Sequence, residues 1–304
     1  MNNIDNELLK TISGTFSYTG AYNIRKNGES IDRQTTPNID IVSKKDKSGL
    51  DIYIKDNTTN ESLDIPVLIS NAGIKDVVYN DFFIGDNVDI TIVAGCGIHS
   101  ELEEDSEHDG IHRFYIGKNS CVKYIEKHYA EGFGLGKKII SPVTEIYMKD
   151  GSSMEMETSQ IRGIDDAIRT TKAKLDNDTK LVINEKIMTH ENQKAKTVFE
   201  VVLNGKNSSS KVTSRSVAID KSKQYFISKV TGNNECFGHV ECDAIVKDNA
   251  RVTSTPKIVA NNINASLVHE ATIGKIAKEQ LVKLMTLGLS KERAEETIIN
   301  GFLN

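Results

Sequence analysis

Four residues in the last quarter of the chain have side chains that bind transition metals. Cys242 follows Glu241 directly, His269 comes 27 residues after the cysteine, and Glu270 follows His269. A thiolate combined with an imidazole nitrogen or a carboxylate oxygen suits iron, zinc or an iron–sulfur cluster. If the chain repeats with a similar period, the two pairs lie on adjacent coils and can face each other. The alternative is structural: a buried cysteine, and a His-Glu pair that orders the start of a helix.

A second group of such residues surrounds Cys96. His99 follows it closely, and His108 and His112 come after an acidic run at 101–104. Thiolate, imidazole and carboxylate together can bind zinc or another transition metal. The glycines on both sides of Cys96 predict that its sulfur is accessible. The alternative is an acidic, mobile loop with ordinary surface histidines.

The glycine-rich stretch 131–138, EGFGLGKK, lacks two residues that a phosphate-binding loop requires. A Walker A motif needs glycine where Glu131 stands, and serine or threonine where Lys138 stands. The stretch does not complete GxGxxG either, because Lys137 occupies the third glycine position. Neither GxSxG nor HExxH occurs in the chain. We therefore expect a protein that binds no nucleotide and is not an enzyme.

Composition excludes several partners. The 304 residues include 38 Lys+Arg and 43 Asp+Glu, a net charge of −5, whereas a nucleic-acid binder would show a basic stripe. No run approaches the roughly 18 apolar residues that span a membrane. The N-terminus lacks the apolar segment of a secretory signal. We expect no nucleic acid, no membrane and a cytoplasmic location, where thiols stay reduced. Cys121 and Cys236 are then interpreted as packing thiols.

Turn-forming clusters recur along the chain from residue 85 onward. They are GDN at 85–87, GKN at 117–119, KDG at 149–151, DND at 176–178, GKN at 205–207 and KDN at 247–249. Each is followed by a run rich in β-branched residues, which is typical of strands. Repeated turn-and-strand units indicate a solenoid, in which stacking on neighbours supplies the core. A parallel β-helix is the simplest interpretation, and an antiparallel sandwich is the alternative.

The sequence after residue 272 changes to a helical pattern. Apolar residues lie on one face of a first helix and line a second: Ala277, Leu281, Leu284 and Met285, then Ala294, Ile298 and Phe302. Gly288 is placed to end the first helix, and Ser290 to cap the second. This predicts an αα-hairpin, which either caps the last coil of the solenoid or binds a partner.

The terminal block HEATIGKIAKEQLVKLMTLGLSKERAEETIINGFL, at 269–303, resembles the C-terminal signature of the SufB/SufD family. These proteins are the scaffold subunits of the SUF machinery for iron–sulfur cluster assembly. The shared elements are HEA, GKI, a helix containing QL, a Gly-Leu-Ser turn and a closing GF. The segments ECDAIVKDNARVTSTPKI, GCGIH and IHRFYIGKNSCVKYIEKHY resemble earlier coils of the same family. The resemblance covers residues 65–304 and is strongest toward the end.

The resemblance implies an all-β fold, a right-handed parallel β-helix followed by a C-terminal helical hairpin. We expect a short N-terminal region with a helix and strands at 1–64, the β-helix core at 65–268, and a helical segment at 269–304. In this family the helices dock onto SufC, an ABC-type ATPase. The residues expected to contact it are Leu281, Leu284, Met285 and Ile298. ATP hydrolysis is then expected on the partner, in agreement with the missing Walker A motif.

The resemblance also implies roles for the first group of residues. Cys242 matches the B-type cysteine proposed to hold the nascent cluster, and His269 and Glu270 match its companion ligands. Val268 stands where B-type members often carry a further acidic residue, and Glu241 is the candidate substitute. Incomplete thiolate ligation suits a scaffold, because a cluster held by four cysteines is hard to release. The presence of both Cys242 and Glu270 is a B-like rather than a D-like feature.

Cys96 matches a cysteine that receives persulfide sulfur, so a sulfur donor system is an expected partner. The chain is short for the family, and we expect a homodimer through the β-helix in place of the B–D heterodimer. The expected function is a scaffold for a transient iron–sulfur cluster. Two alternatives are a SufD-like structural subunit without a cluster and a β-helix enzyme acting on polysaccharide. The absence of tryptophan and an aromatic content of 6% count against the enzyme.

Overall fold

The computed structural model, which describes residues 3–14 and 18–303, folds as a parallel β-solenoid followed by helices. This confirms the predicted β-helix with C-terminal helices, and the antiparallel-sandwich alternative is wrong. Two ten-stranded sheets form the walls, and the chain alternates between them as it winds. None of the helices that the structure describes is both long enough and apolar enough to span a membrane.

Short strands make up most of the described residues, with one helix before them and two after. The strands are β1 Ala21–Lys26, β2 Glu29–Gln34, β3 Ile39–Ser43, β4 Gly49–Ile54, β5 Thr59–Ile69, β6 Lys75–Ile84, β7 Asp89–His99, β8 Ser106–Ile116, β9 Cys121–Glu131, β10 Lys138–Ile140, β11 Val143–Met148, β12 Ser153–Arg162, β13 Asp166–Leu175, β14 Lys180–Thr189, β15 Lys194–Leu203, β16 Ser208–Ala218, β17 Lys223–Gly232, β18 Cys236–Val246, β19 Arg251–Ala260 and β20 Ala265–Gly274. The helices are α1 Asn3–Ser13, α2 Lys278–Thr286 and α3 Lys291–Leu303.

Strand order follows the winding of the chain. The first sheet runs β2-β1-β5-β7-β9-β12-β14-β16-β18-β20, and the second runs β19-β17-β15-β13-β10-β8-β6-β4-β3, with β11 also between β8 and β13. The register advances by 32 residues from Cys121 to Ser153 and by 29 from Cys236 to Ala265. The spacing of the turn clusters therefore predicted the coil length. Each full coil contains two strands, however, and the clusters indicated only one of them.

The predicted turn clusters lie at both corners of the solenoid: those before β7, β9, β12, β14 and β16 lead into the first sheet, and the one before β19 leads into the second. Asn87, Asn119, Asp178, Asn207 and Asp248 all adopt left-handed backbone conformations, with φ between 55° and 58°. Asparagine and aspartate tolerate this region better than other residues that carry a side chain. Their side chains also bond from coil to coil, as where the Asn207 amide donates to Oδ1 of Asp178 at 2.9 Å. The local sequence thus sets where each coil turns.

Apolar side chains from both sheets fill the interior. Residues that alternate along each strand point inward, and the resulting core runs along the solenoid from Ile39 to Cys242. Aromatic rings stack from coil to coil inside it, with the centroids of Phe82 and Phe114 4.4 Å apart. Continuous burial of this kind is the main stabilising contribution of a solenoid. The inward positions that carry polar groups instead are therefore informative.

Candidate functional site

Cys242 lies on the inner face of β18, within the hydrophobic core of the solenoid. It is 1% exposed, and its inward neighbours Val240 and Ala244 are also buried. Removal from water raises the pKa of the Cys242 thiol to about 11. The thiol is therefore protonated in the single chain, and it becomes a metal ligand only by releasing that proton.

His269 lies on the inner face of β20, diagonally next to Cys242. In the register of these strands Val240 is opposite His269, and Ala271 is opposite Cys242. Both ring nitrogens of His269 are buried, and neither has a hydrogen-bond partner among the described residues. Burial, and then the charge of His239, lowers the pKa of His269. The neutral imidazole that this favours is the form that binds metals.

Glu241 and Glu270 face the opposite side of the same sheet. They are register partners on β18 and β20, and strand alternation places both on the outer surface. Oε2 of Glu270 lies 3.6 Å from Nε2 of His239, which also points outward. The structure therefore brings Cys242 together with His269 inside the solenoid, and Glu241 together with Glu270 outside it.

The coil that carries His269 is the open end of the solenoid. β20 is the last strand of the first sheet and β19 the last strand of the second. Residues of both strands are exposed or half-exposed along their whole length, because no further coil covers them. Within residues 3–14 and 18–303, no three His, Cys, Asp or Glu side chains are grouped so as to hold a metal ion.

Cys96 is buried, and the predicted accessibility of its sulfur is wrong. It is 2% exposed on the inner face of β7, and burial raises the pKa of its thiol well above the ordinary value. The positions of the flanking glycines point to the outer face of β7, where α1 lies against them. A Cβ at Gly95 would lie 2.8 Å from Cβ of Ile12, and one at Gly97 would lie 3.2 Å from Cδ2 of Leu8. The glycines thus make room for α1, which packs against β7.

The histidines after Cys96 divide between the two faces. Nδ1 of His108 lies 3.2 Å from Oδ2 of buried Asp76, and Nδ1 of His112 lies 2.8 Å from the hydroxyl of buried Tyr124. Burial lowers the pKa of His112 to about 4, so its ring is neutral near pH 7. His99 pairs with carboxylates outside the solenoid. The alternative of ordinary surface histidines is therefore wrong for His108 and His112.

Sequence reasoning missed a buried ionic cluster in the middle of the solenoid. Arg169 on β13 pairs with Glu126, donates to Nδ1 of His128 at 3.0 Å and lies 3.8 Å from Glu185. Burial alone would raise the pKa of Glu126, but Arg169 and then His128 outweigh it and hold that pKa well below its usual range. The alternation of inward and outward positions along each strand could have revealed this cluster, since all four residues occupy inward positions that normally carry apolar side chains.

The two C-terminal helices pack unequally. α3 rests on the solenoid, where Ile298 belongs to an apolar cluster with residues of β16 and β18. α2 has no buried residue, and its Leu281 and Leu284 are half-buried. The exposed apolar side chains at this helix are Val282 at 58%, Met285 at 44% and Leu287 at 75%. Val282 and Leu287 were not predicted as contact residues.

The remaining thiols differ from each other. All four cysteines are free, and Cys236 is buried in the same core as Cys242. This agrees with its interpretation as a packing thiol. Cys121 is exposed at the start of β9, so the same interpretation is wrong for it.

Comparison with known proteins decides the family. The model of the SUF system FeS cluster assembly SufBD core domain matches residues 167–302. A relative from Methanocaldococcus jannaschii, an iron–sulfur cluster assembly SufBD family protein, is 30% identical over 245 residues. That alignment covers 77% of this chain and 74% of the relative. This protein belongs to the SufBD family.

Two further SufBD family proteins show how far the similarity extends. The relative from Pyrococcus horikoshii is 28% identical over 282 residues, covering 90% of this chain and 83% of the relative. One from Methanothermobacter thermautotrophicus is 25% identical over 245 residues, but the alignment covers only 58% of that relative. The SufBD core match spans Cys242, His269 and both C-terminal helices, whereas Cys96 lies outside it. Membership of the SufBD family implies a role in iron–sulfur cluster assembly.

Proposed function

We propose that this SufBD protein is a scaffold that holds a nascent iron–sulfur cluster and catalyses no reaction itself. The observation that carries the proposal is the His269 imidazole on the inner face that it shares with Cys242, since its two buried nitrogens find no hydrogen-bond partner in the described part of the chain. An unsatisfied buried polar group costs about 1–3 kcal/mol. A metal ion at this position would remove that cost. Cys242 and His269 are the proposed inner ligands, and Glu270 and Glu241 are proposed to join from the outer face.

A second copy of the chain is proposed to complete the site through the β-helix. The open coil leaves strand edges at β19 and β20, and such edges favour pairing with another chain. A homodimer formed there would place two Cys242–His269 pairs close to one interface. Metal binding would then draw the proton from each thiol, because binding and deprotonation are coupled. The cluster is cargo that is assembled and passed on, and no nucleotide is bound by this chain.

Cys96 is proposed to accept persulfide sulfur from a donor system. Its side chain lies in the apolar interior on the inner face of β7, so the solenoid has to open locally before a donor can reach the thiol. A SufC-like ABC-type ATPase is the proposed energy source. When the ATPase dimerises on binding ATP, it would shift the solenoid from one conformation toward another, provided that the ATPase makes different contacts with the two conformations.

We propose three units: an N-terminal region at 1–64, the β-helix core at 65–268 and the helical segment at 269–304. The ATPase is proposed to dock on the helical segment. The proposed contact residues are Leu281, Leu284, Met285 and Ile298. Reduced thiols fit a cytoplasmic location.

Anaerobic co-purification with the SufC-like ATPase of the same organism tests the scaffold proposal. We expect a brown complex that contains both iron and acid-labile sulfide, with cluster signals in the absorption and Mössbauer spectra. Light scattering on the same sample should give two copies of this chain per complex. A complex that stays colourless after reconstitution with iron and sulfide would contradict the proposal.

Replacing Met285 with aspartate is expected to weaken binding of the ATPase by about tenfold or more, because it would bury an unpaired charge in an apolar contact. Binding is measured by co-elution and by titration calorimetry. Ile263→Asp is the matched control, since Ile263 is 99% exposed in the turn before β20. It should leave binding unchanged. Equal binding by the Met285 variant would place the ATPase elsewhere.

The structural-subunit function remains a second candidate because of the state of Cys242. A thiol that is 1% exposed, with a pKa near 11, is also what a simple packing residue shows. A SufD-like subunit would bind the ATPase but no cluster. The two candidates differ in whether Cys242 affects the iron content of the complex.

A further inference from the structure

A groove of about 480 Å³ lies on the outer face of the first sheet, over β9, β12, β14 and β16. It is separate from the inner face that carries Cys242 and His269. Four cationic side chains line it: Lys127, Lys186, Lys211 and Arg215. Ile125 and Ile161 add apolar surface to its wall. The proposed scaffold function uses one of its lining residues, Glu241, and none of its cations.

Three of the four cations of the groove lie at one register, and Lys211 lies four residues before Arg215 on β16. Lys186 is the direct neighbour of Arg215, and Ser159 separates Lys186 from Lys127. Like charges side by side on neighbouring strands repel each other. Opposite charges are neighbours at other outward positions, as where Arg113 lies 2.9 Å from Glu145. A second cationic row, Lys194, Lys223 and Arg251, lies on the other sheet, but its side chains are exposed, whereas the stack of three cations in the groove is half-buried.

The carboxylates of the groove do not neutralise the stack. Glu126 and Glu185 point inward to Arg169, and Glu157 lies 3.0 Å from Lys123. Glu241 is the remaining carboxylate among the lining residues, two positions along the strand from the register of the stack.

No described carboxylate lies within 4.0 Å of a nitrogen of Lys127, Lys186 or Arg215. This includes Asp243, the register neighbour of Arg215 on β18. Three half-buried cations therefore share one groove without counter-ions from the part of the chain that is described.

We propose that the groove binds a small phosphate-bearing molecule with at least two anionic groups. The fork of Arg215 and the adjacent Lys186 hold one phosphate, because guanidinium and ammonium donors suit its oxygens. Lys127 is two strands from Lys186, about 10 Å at the usual strand spacing, and reaches a second anionic group. Ile125 and Ile161 contact the apolar part of the ligand. The groove volume is that of a small-molecule site.

Titration calorimetry with pyrophosphate on the full chain tests this proposal. The double variant Lys186→Gln/Arg215→Gln is expected to bind pyrophosphate at least about tenfold more weakly than the unaltered chain. Lys196→Gln/Lys229→Gln removes equal charge from the outer face of the other sheet and should change the affinity by less than about twofold. Thermal unfolding should show no loss of stability in the groove variant, because removing like charges relieves repulsion.

Three results would overturn the proposal. One is the absence of pyrophosphate binding by the unaltered chain at physiological ionic strength. Another is an equal loss of affinity in both double variants, which would indicate a general charge effect. The third is binding of polyglutamate but not of pyrophosphate, which would indicate an acidic protein partner. Should the groove variant unfold, Lys127→Gln alone provides the same comparison, with Lys196→Gln as its control. All these outcomes are independent of whether the chain carries a cluster.

Discussion

Replacing Arg169 with methionine is expected to lower the free energy of unfolding by about 3–5 kcal/mol. Arg169 is 5% exposed and is the cation shared by Glu126 and Glu185 inside the solenoid. Methionine has a similar length and fills the space, but it leaves two buried carboxylates without their counter-ion. The cost of an unpaired buried charge is larger than the cost of a lost contact. Urea unfolding, followed by circular dichroism, measures the change.

The pH dependence of this variant identifies the mechanism. In the unaltered chain the pKa of Glu126 lies below its unfolded value. That carboxylate therefore contributes stability above the unfolded pKa, near 4.5, and the contribution is lost as pH falls through the folded pKa. Without Arg169, burial dominates and raises the pKa of Glu126, as burial already raises that of Glu185. Protonation of Glu126 then removes the unpaired buried charge. The loss in free energy of unfolding caused by Arg169→Met should therefore become smaller as pH is lowered from about 8 to about 5.

Arg113→Met is the matched control for Arg169→Met. Arg113 has an equivalent pair of acidic partners, Glu145 at 2.9 Å and Asp81 at 3.5 Å, but its side chain is 28% exposed on the outer face. Water screens that pair, so its loss should cost less than about 1 kcal/mol. Similar costs for both variants, or a deficit at Arg169 that does not change with pH, would show that the buried cluster is not held by charge.

The turns and the period of the solenoid were predictable from sequence because their causes are local. A left-handed residue is needed at each corner, and asparagine or aspartate at positions such as Asn119 and Asp178 indicates it directly. The second strand of each coil was harder to recognise. In β13 an inward position is occupied by Arg169, so the apolar alternation that marks a strand is interrupted where the buried ionic cluster lies.

The candidate site was predictable in composition but not in arrangement. Cys242 and His269 are 27 residues apart, whereas the coil step between their strands is 29. The difference is even, so His269 shares the inner face with Cys242, and Glu270 is placed on the other face. Coil lengths vary along this chain, and a change of one residue exchanges the faces. The burial of Cys96 follows from its inward position on β7, and the glycines beside it accommodate α1, a contact with a distant segment that local sequence does not reveal.

Replacing Cys242 with serine is expected to remove the iron and sulfide from the anaerobically purified complex. Serine keeps the side-chain size but replaces a soft thiolate with a hard, weakly acidic hydroxyl, which suits iron–sulfur clusters poorly. Loss of a ligand should lower the iron content at least about tenfold, judging from the cost of disturbing even outer-shell partners of a metal. Iron and sulfide analysis with Mössbauer spectra measures the effect, and ATPase binding should persist because α2 and α3 are unchanged.

Cys236→Ser separates ligation from damage to the core. Cys236 lies on the same strand and the same inner face, is 7% exposed, and packs in the same apolar core as Cys242. Serine introduces the same buried hydroxyl at either position, so any general loosening of the core affects both variants. Loss of iron in the Cys242 variant alone therefore indicates a ligand, and equal loss indicates packing. A cluster that survives in both variants would exclude Cys242 from the site and leave it the packing role that its burial in β18 already permits.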